Sequence, residues 1–203
     1  MKNFSKAGLL IATLVIPALI FLFLQIFARN HYDLPYLNPE LSSDGKILIE
    51  DADTVFHQVD AGKSAITDLS FTGKLNVITY LPKDCSDSCK LAFSQLQRVA
   101  ALKAEIQDVQ LVTLTLEQDD STTFARELKS QGWEVKAEPA NHLELFYEQE
   151  LGIKNGMPDD ASICALVDTK GFVRGYYQVT DPKEVDRLMA EIKILSYEGK
   201  TKE

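Results

Sequence analysis

The sequence predicts an α/β domain in which helices pack on a mixed β-sheet. Three observations predict this fold. Strand-like and helix-like patterns alternate along the chain from about residue 54 onward. The run Leu75–Leu81 is almost entirely apolar or β-prone, as is typical of a central strand buried on both faces. Near the C-terminal end, two strand-like runs flank the turn sequence Asp-Thr-Lys-Gly at 168–171, which indicates a hairpin.

The predicted strands are short runs of apolar and β-branched residues. Residues 54–59 are a short candidate, and residues 109–116 follow the central strand with the sequence VQLVTLTL. The alternating pattern after Trp133 favours an edge strand at 134–136. Residues 163–167 and 172–179 supply the two strands of the hairpin.

The predicted helices show apolar residues at a spacing near 3.6. Residues 91–106 place Phe93, Leu96 and Ala100 on one face. Ser121 or Asp120 can cap a helix at 121–130, and a short helix follows at 143–151. Asp181-Pro182 opens a final helix at 182–195, because proline is favoured in a first helical turn.

Charge and composition limit the classes of function. The chain has 203 residues, a formal net charge of -9 and 45% hydrophobic residues. An acidic chain without basic clusters is not expected to bind nucleic acid, whose phosphates attract Lys and Arg. Three cysteines are too few for a disulfide scaffold. They suggest a functional pair and a third cysteine that takes no part in the function.

The first part of the chain resembles a membrane segment. Residues 7–28 carry no charge, and a helix of that length would span about 33 Å. Lys2 and Lys6 precede this run, which favours a cytoplasmic amino terminus and places the rest of the chain in the periplasm or an equivalent outer compartment. A cleaved signal peptide is the alternative, but the run is long and no small-x-small cleavage site follows it. We therefore expect a single-pass anchor in the inner membrane.

These patterns divide the chain into four parts. We expect the anchor at 1–29, a tether at 30–50, the α/β domain at 51–196 and a frayed tail at 197–203. The tether assignment depends on Pro35, Pro39 and the Ser-Ser-Asp-Gly cluster at 42–45.

Two cysteines lie between the predicted central strand and the helix that follows it. Cys85 and Cys89 are separated by three residues, and a helix amino terminus stabilises a thiolate there. Asp84 and Asp87 oppose this effect, because nearby carboxylates raise a thiol pKa. Residues at i and i+4 of a helix have Cβ atoms about 5–6 Å apart, so a disulfide needs only a small adjustment. We assign Cys85 the attacking role and Cys89 the resolving role.

The third cysteine has a different setting. Cys164 lies in the strand-like run at 163–167, where a free thiol behaves as a small apolar residue. We expect it to be part of the core.

The dithiol loop, the hairpin and the apolar amino-terminal run together resemble the SCO (SenC) family over residues 50–195. The family pattern is Cys-Pro-Asp-x-Cys-Pro; Cys85, Asp87 and Cys89 match it, whereas Ser86 and Lys90 stand in place of the prolines. The resemblance implies a thioredoxin-like fold. It also implies a role in assembling the copper site of cytochrome c oxidase, either by copper delivery or by thiol–disulfide exchange. The implied partners are a cytochrome c oxidase subunit or another dithiol protein.

The resemblance also implies a copper site made of the two cysteines and a distant histidine. Counting back from Gly171 places Asp160 at the histidine position, and a shift of one residue gives Asp159 or Ala161. Two thiolates are soft ligands that suit Cu(I), whereas a carboxylate is a poor substitute for the nitrogen that Cu(II) prefers. We therefore expect weak Cu(I) binding by Cys85 and Cys89, with Asp160 as the candidate third ligand, and poor Cu(II) binding.

Two other functions stay open on the sequence. The chain could be a general periplasmic thiol–disulfide oxidoreductase, although three residues between the cysteines differ from the usual two. It could also be a non-catalytic binding domain in which the cysteines form a structural disulfide, although so short a ring would add little stability.

Overall fold

The computed structural model describes residues 13–23, 34–59, 65–66, 69–117, 123–154, 158 and 161–201. The chain divides into two compact units, Met1–Asp33 and Leu34–Glu203. In the first unit, residues 13–23 are helical, and residues 7–12 and 24–28 of the expected anchor lie outside the described residues. Among the described residues, no helix is both long enough and apolar enough to cross a membrane.

The second unit is built on β-strands that form two sheets. The strands are β1 Ile49–Glu50, β2 Asp53–Thr54, β3 Leu75–Leu81, β4 Val109–Leu116, β5 Glu134–Glu138, β6 Ile163–Val167 and β7 Val173–Gln178. The main sheet is mixed and five-stranded, with the strand order β5-β4-β3-β6-β7. Strands β3, β4 and β5 run parallel, and β6 and β7 run antiparallel to their neighbours. A separate two-stranded ladder, β1-β2, precedes this sheet.

Helices cover both faces of the sheet. The four α-helices described in the second unit are α1 Asp87–Ala101, α2 Thr123–Ser130, α3 Ala140–Leu145 and α4 Pro182–Thr201. Helix α1 continues into a short 3-10 helix at Leu102–Ala104, and α3 continues into a π-helix at Phe146–Glu150.

Alternation along β3 divides the core into two layers. Val77 and Leu81 belong to the layer that contains Cys89 of α1 and Leu188 of α4. Ile78 and its neighbours on the other face pack with α3 and the π-helix. The central strand is therefore buried on both faces, as its continuous apolar sequence predicts.

The structure confirms the mixed α/β sheet flanked by helices. The predicted strands Leu75–Leu81, Val109–Leu116 and Ile163–Val167 coincide with β3, β4 and β6. The strand predicted at 54–59 is shorter, because only Asp53–Thr54 forms a ladder and the rest makes isolated bridges. The helix predicted from residue 91 begins at Asp87, where Ser86 provides the cap.

Both ends of the second unit differ from the predicted boundaries. This unit begins at Leu34, so residues 34–50 pack with the domain rather than lying apart as a tether. Arg174 holds the start of this segment by donating hydrogen bonds to the carbonyl oxygens of Leu34 and Pro35 at 2.6 and 3.1 Å. At the other end, α4 continues to Thr201 through most of the predicted tail.

Candidate dithiol site

The end of β3 fixes the starting point of the dithiol loop. All seven residues of β3 are buried. Its last residue, Leu81, accepts a hydrogen bond at its carbonyl oxygen from the Thr115 hydroxyl at 3.0 Å. The chain therefore leaves the sheet from a buried, hydrogen-bonded strand end and reaches α1 within a few residues.

Ser86 caps α1. The Cys89 amide donates to the Ser86 hydroxyl oxygen at 3.4 Å, and the Lys90 amide donates to the Ser86 carbonyl oxygen at 2.9 Å. The first bond satisfies an amide that has no partner inside the helix, and the second is the first regular backbone bond of α1. A proline at position 90 would lack the donor of the second bond, so each of the two departures from the family pattern adds one hydrogen bond at the start of α1.

Cys85 and Cys89 are joined by a disulfide, with Cα atoms 5.2 Å apart. Cys85 lies in the loop before the cap, whereas Cys89 is the third residue of α1. The i, i+4 helical spacing expected for the pair is therefore not the arrangement observed. The loop turns Cys85 back over the first helical turn, which brings the two sulfur atoms together.

The two cysteines differ in exposure. Cys89 is 1% exposed and belongs to the core layer under α1, whereas Cys85 is partly exposed at the surface. An attacking sulfur must meet an outside molecule, but a resolving sulfur needs to reach only its neighbour. This difference in exposure is what the predicted attacking role of Cys85 and resolving role of Cys89 require. Both roles stay predictions.

An open cleft of ≈ 460 Å³ adjoins Cys85. Phe124, at the start of α2, forms its aromatic wall and packs edge-on against Phe93 with ring centroids 5.1 Å apart. The other lining residues are Lys83, Asp84, Cys85, Ser86 and Lys90. The cleft gives a partner molecule access to one sulfur of the disulfide.

Phe124 is a residue of the site that its local sequence does not indicate. A signal for it exists, because β3 and β4 are parallel and their carboxyl ends lie at the same edge of the sheet. Residues that follow β4 therefore approach the loop that follows β3, and an aromatic residue there is a candidate wall.

Charges around the loop are mixed and solvated. Lys90 Nζ lies 3.3 Å from Asp87 Oδ1, and both side chains are well exposed. Exposed ion pairs contribute little energy, because water and salt screen them. The backbone geometry of the loop and cap, rather than this ion pair, therefore determines which of the two sulfur atoms is exposed.

The structure brings together Cys85 and Cys89, two of the three ligands of the predicted copper site. Asp160, the candidate third ligand, and Asp159 lie outside the described residues, while the neighbouring Ala161 is fully buried. In the part of the chain that the structure describes, no group of three or more His, Cys, Asp and Glu residues could hold a metal ion. His142 lies beside Leu143 of α3, which packs on the face of the sheet opposite Cys89.

Cys164 is part of the core, as predicted. It lies on β6, is 1% exposed and forms no disulfide. Burial raises the pKa of its thiol well above the ordinary value, so it stays protonated at neutral pH.

This burial predicts a difference in alkylation. In the reduced, folded protein at pH 8, iodoacetamide should label Cys85 readily and leave Cys164 unlabelled, as measured by peptide mass spectrometry. The same sample in denaturant is the control, and Cys164 should react there. Equal labelling of Cys85 and Cys164 before unfolding would contradict the placement of Cys164.

The mixed sheet, its flanking helices and a disulfide that ties the loop after β3 to the first turn of α1 define a thioredoxin-like α/β protein. Among solved structures, the chain is similar to a SCO1/SenC family lipoprotein from Bacillus anthracis str. Ames, with 16% identity over 62% of this chain and 83% of that one and a TM-score of 0.51. It is also similar to BsSco, described as a member of the Sco family of cytochrome c oxidase assembly proteins with a disulfide switch. That match has 16% identity over 81% of this chain and 96% of that one, with a TM-score of 0.53.

At this level of identity the two similarities establish a shared fold. A weaker similarity links the chain to ScoI of Bradyrhizobium japonicum with copper bound, with 19% identity over 69% of this chain and 96% of that one and a TM-score of 0.43. No protein-family model matches the sequence, and no curated protein matches it significantly.

Proposed function

We propose that this protein is a Sco-like thiol–disulfide exchange protein that acts in cytochrome c oxidase biogenesis. In this proposal residues 7–28 anchor it in the inner membrane, and its domain faces the periplasm or an equivalent outer compartment. The observation that carries the proposal is the Cys85–Cys89 disulfide, which the fold presents at an open cleft with one sulfur partly exposed. The fold shared with BsSco supports the proposed role in cytochrome c oxidase biogenesis.

The site can carry out exchange in two steps. In the reduced protein, the Cys85 thiolate attacks one sulfur of a partner disulfide, which forms a mixed disulfide and releases one partner thiolate. The Cys89 thiolate then attacks Cys85 Sγ, which closes the Cys85–Cys89 bond and releases the second partner thiolate. The partner gains two electrons, and its thiolates take up protons from water.

Cys89 needs no solvent access for the second step. Its Cα lies 5.2 Å from that of Cys85, so the resolving attack is intramolecular. Ser86 holds the first turn of α1 in place during this step through the bond from the Cys89 amide.

The proposal also includes delivery of copper by the same two cysteines. The two thiolates of the reduced site fit Cu(I), which accepts few ligands and prefers sulfur. Asp160, the candidate third ligand, is a carboxylate and a poor substitute for the nitrogen that Cu(II) prefers.

A copper titration of the reduced protein tests this expectation. We expect Cu(I) to bind with the loss of two titratable thiols, and Cu(II) to bind poorly. The Cys85→Ser variant is the control and should lose Cu(I) binding. A tight, stoichiometric Cu(II) complex with thiolate charge-transfer absorption would contradict the expectation.

The cellular role is tested by replacing both cysteines. A strain carrying Cys85→Ser and Cys89→Ser should show reduced assembly of active cytochrome c oxidase, measured by oxidase activity and subunit levels in membranes. Cys164→Ala is the matched control, because Cys164 is buried in the core, and it should leave assembly intact. Unchanged oxidase assembly in the double variant would contradict the proposed role in cytochrome c oxidase biogenesis. Loss of reduction of unrelated periplasmic disulfides in that strain would then favour the general oxidoreductase.

A further inference from the structure

The start of the second unit carries an exposed apolar face outside the dithiol site. Leu41, Ile47 and Ile49 are 64%, 52% and 63% exposed. We call these three side chains the hairpin patch. Large apolar side chains that cluster on a surface mark a site of contact with another molecule or with lipid.

The three side chains point to the same side. Leu41 and Ile47 are direct antiparallel partners, and the backbone bonds on either side of the pair measure 2.8 Å. Directly opposed residues share one face of a ladder, and Ile49 shares it because it lies two residues after Ile47. The charged pair Glu50 and Asp53 falls at the next register position, on the alternate face.

The patch lies on ordered backbone. The Glu40 amide donates to the Val55 carbonyl oxygen at 2.9 Å, and the Val55 amide donates to that of Leu48 at 3.0 Å. Each strand of the hairpin is therefore fixed by the segment at 53–56, and the apolar side chains stay exposed because of the register.

The hairpin belongs to one end of the domain. Tyr36, just before it, packs edge-on against Phe172 with ring centroids 5.3 Å apart. Phe172 closes the turn between β6 and β7, and β6 ends where β3 begins, since Val167 pairs with Asn76. Cys85 follows the opposite end of β3. The hairpin patch and the dithiol cleft therefore lie toward opposite ends of the sheet.

Chain length limits how far this end can lie from a bilayer. The carbonyl oxygen of Leu34 is held by Arg174 at 2.6 Å. The apolar run ends at residue 28, and the six steps from there to Leu34 reach at most about 21 Å. An anchor that ends at residue 28 would therefore hold Leu34 within about 21 Å of the lipid surface, and the hairpin patch begins seven residues later in the chain.

We propose that the hairpin patch inserts into the interfacial layer of the bilayer, with phospholipid as its partner. This inference rests on the membrane anchoring in the proposed function. Exposed Leu and Ile side chains suit the boundary between headgroups and acyl chains. Insertion would orient the domain so that the dithiol cleft faces away from the lipid, toward partners that project from the membrane.

Tryptophan quenching in vesicles tests the inference on the full chain. The protein has one tryptophan, Trp133, which is 5% exposed in the core. We would reconstitute the Ile47→Trp variant in phosphatidylcholine vesicles with or without brominated acyl chains. The added tryptophan should emit at shorter wavelength and lose emission in brominated lipid, whereas the wild-type emission of Trp133 should not change.

Leu91→Trp is the matched control. Leu91 is 46% exposed, similar to Ile47, but it lies in α1 just after the dithiol loop. Its tryptophan should not be quenched. If the vesicles float with bound protein but Ile47→Trp is quenched no more than Leu91→Trp, the patch inference is wrong and anchoring stands. If the protein does not float with the vesicles, both the anchoring and the patch inference are wrong.

Discussion

Replacing Cys85 with serine is expected to abolish thiol–disulfide exchange by the reduced protein. The variant retains Cys89, but that sulfur is 1% exposed and lies inside the core layer under α1. A serine hydroxyl is not deprotonated near neutral pH and cannot form the mixed disulfide. The measurement is the rate at which the reduced protein reduces a disulfide-linked peptide.

The control for this variant is Cys164→Ala, which should keep the wild-type rate because Cys164 takes no part in the site. A Cys85→Ser variant that retained that rate would show that Cys89 attacks outside disulfides directly. In that case the exposure of Cys85 would not determine its role.

Replacing Arg174 with leucine is expected to lower the free energy of unfolding by about 3–5 kcal/mol. Arg174 is 4% exposed, and its guanidinium donates to the buried carboxylate of Asp168 at 2.8 Å. The variant leaves that carboxylate buried without its cationic partner. The carbonyl oxygens of Leu34 and Pro35 also lose their donor, and Tyr36 loses the guanidinium 4.1 Å from its ring centroid.

Arg98→Leu is the control for this experiment. Arg98 forms an ion pair with Asp186 on the surface, and loss of such a pair should cost at most about 1 kcal/mol. Denaturant unfolding can be followed by the fluorescence of Trp133. Equal losses of stability in the two variants would contradict the claim that the buried pair fastens residues 34–36 to the domain.

The sheet could be predicted closely because its strands carry their own signal. β3, β4 and β6 are runs of apolar and β-branched residues, and their burial in the structure follows from that composition. The apolar periodicity predicts a start of α1 that is four residues too late, because this periodicity begins after the cap. Ser86 sets the true start through hydrogen bonds that a hydrophobic pattern does not record.

The segment at 34–50 could not be placed from local sequence. Its prolines and turn residues resemble a tether, but Arg174 fastens it from 140 residues away in the chain. Such a contact depends on the assembled hairpin of β6 and β7. The cleft at Cys85 shows the same limit, since Phe124 reaches it only through the pairing of β3 with β4. The assignment of Asp160 remains a prediction, because it lies outside the described residues.

The most direct test of the account asks which sulfur bonds to a partner first. Reduced Cys89→Ser and Cys85→Ser proteins would each be mixed with a peptide disulfide, and the products identified by mass spectrometry. Cys89→Ser should accumulate a mixed disulfide at Cys85, because the exposed sulfur attacks and nothing resolves it, whereas Cys85→Ser should form little adduct. Faster adduct formation at Cys89 would contradict the account.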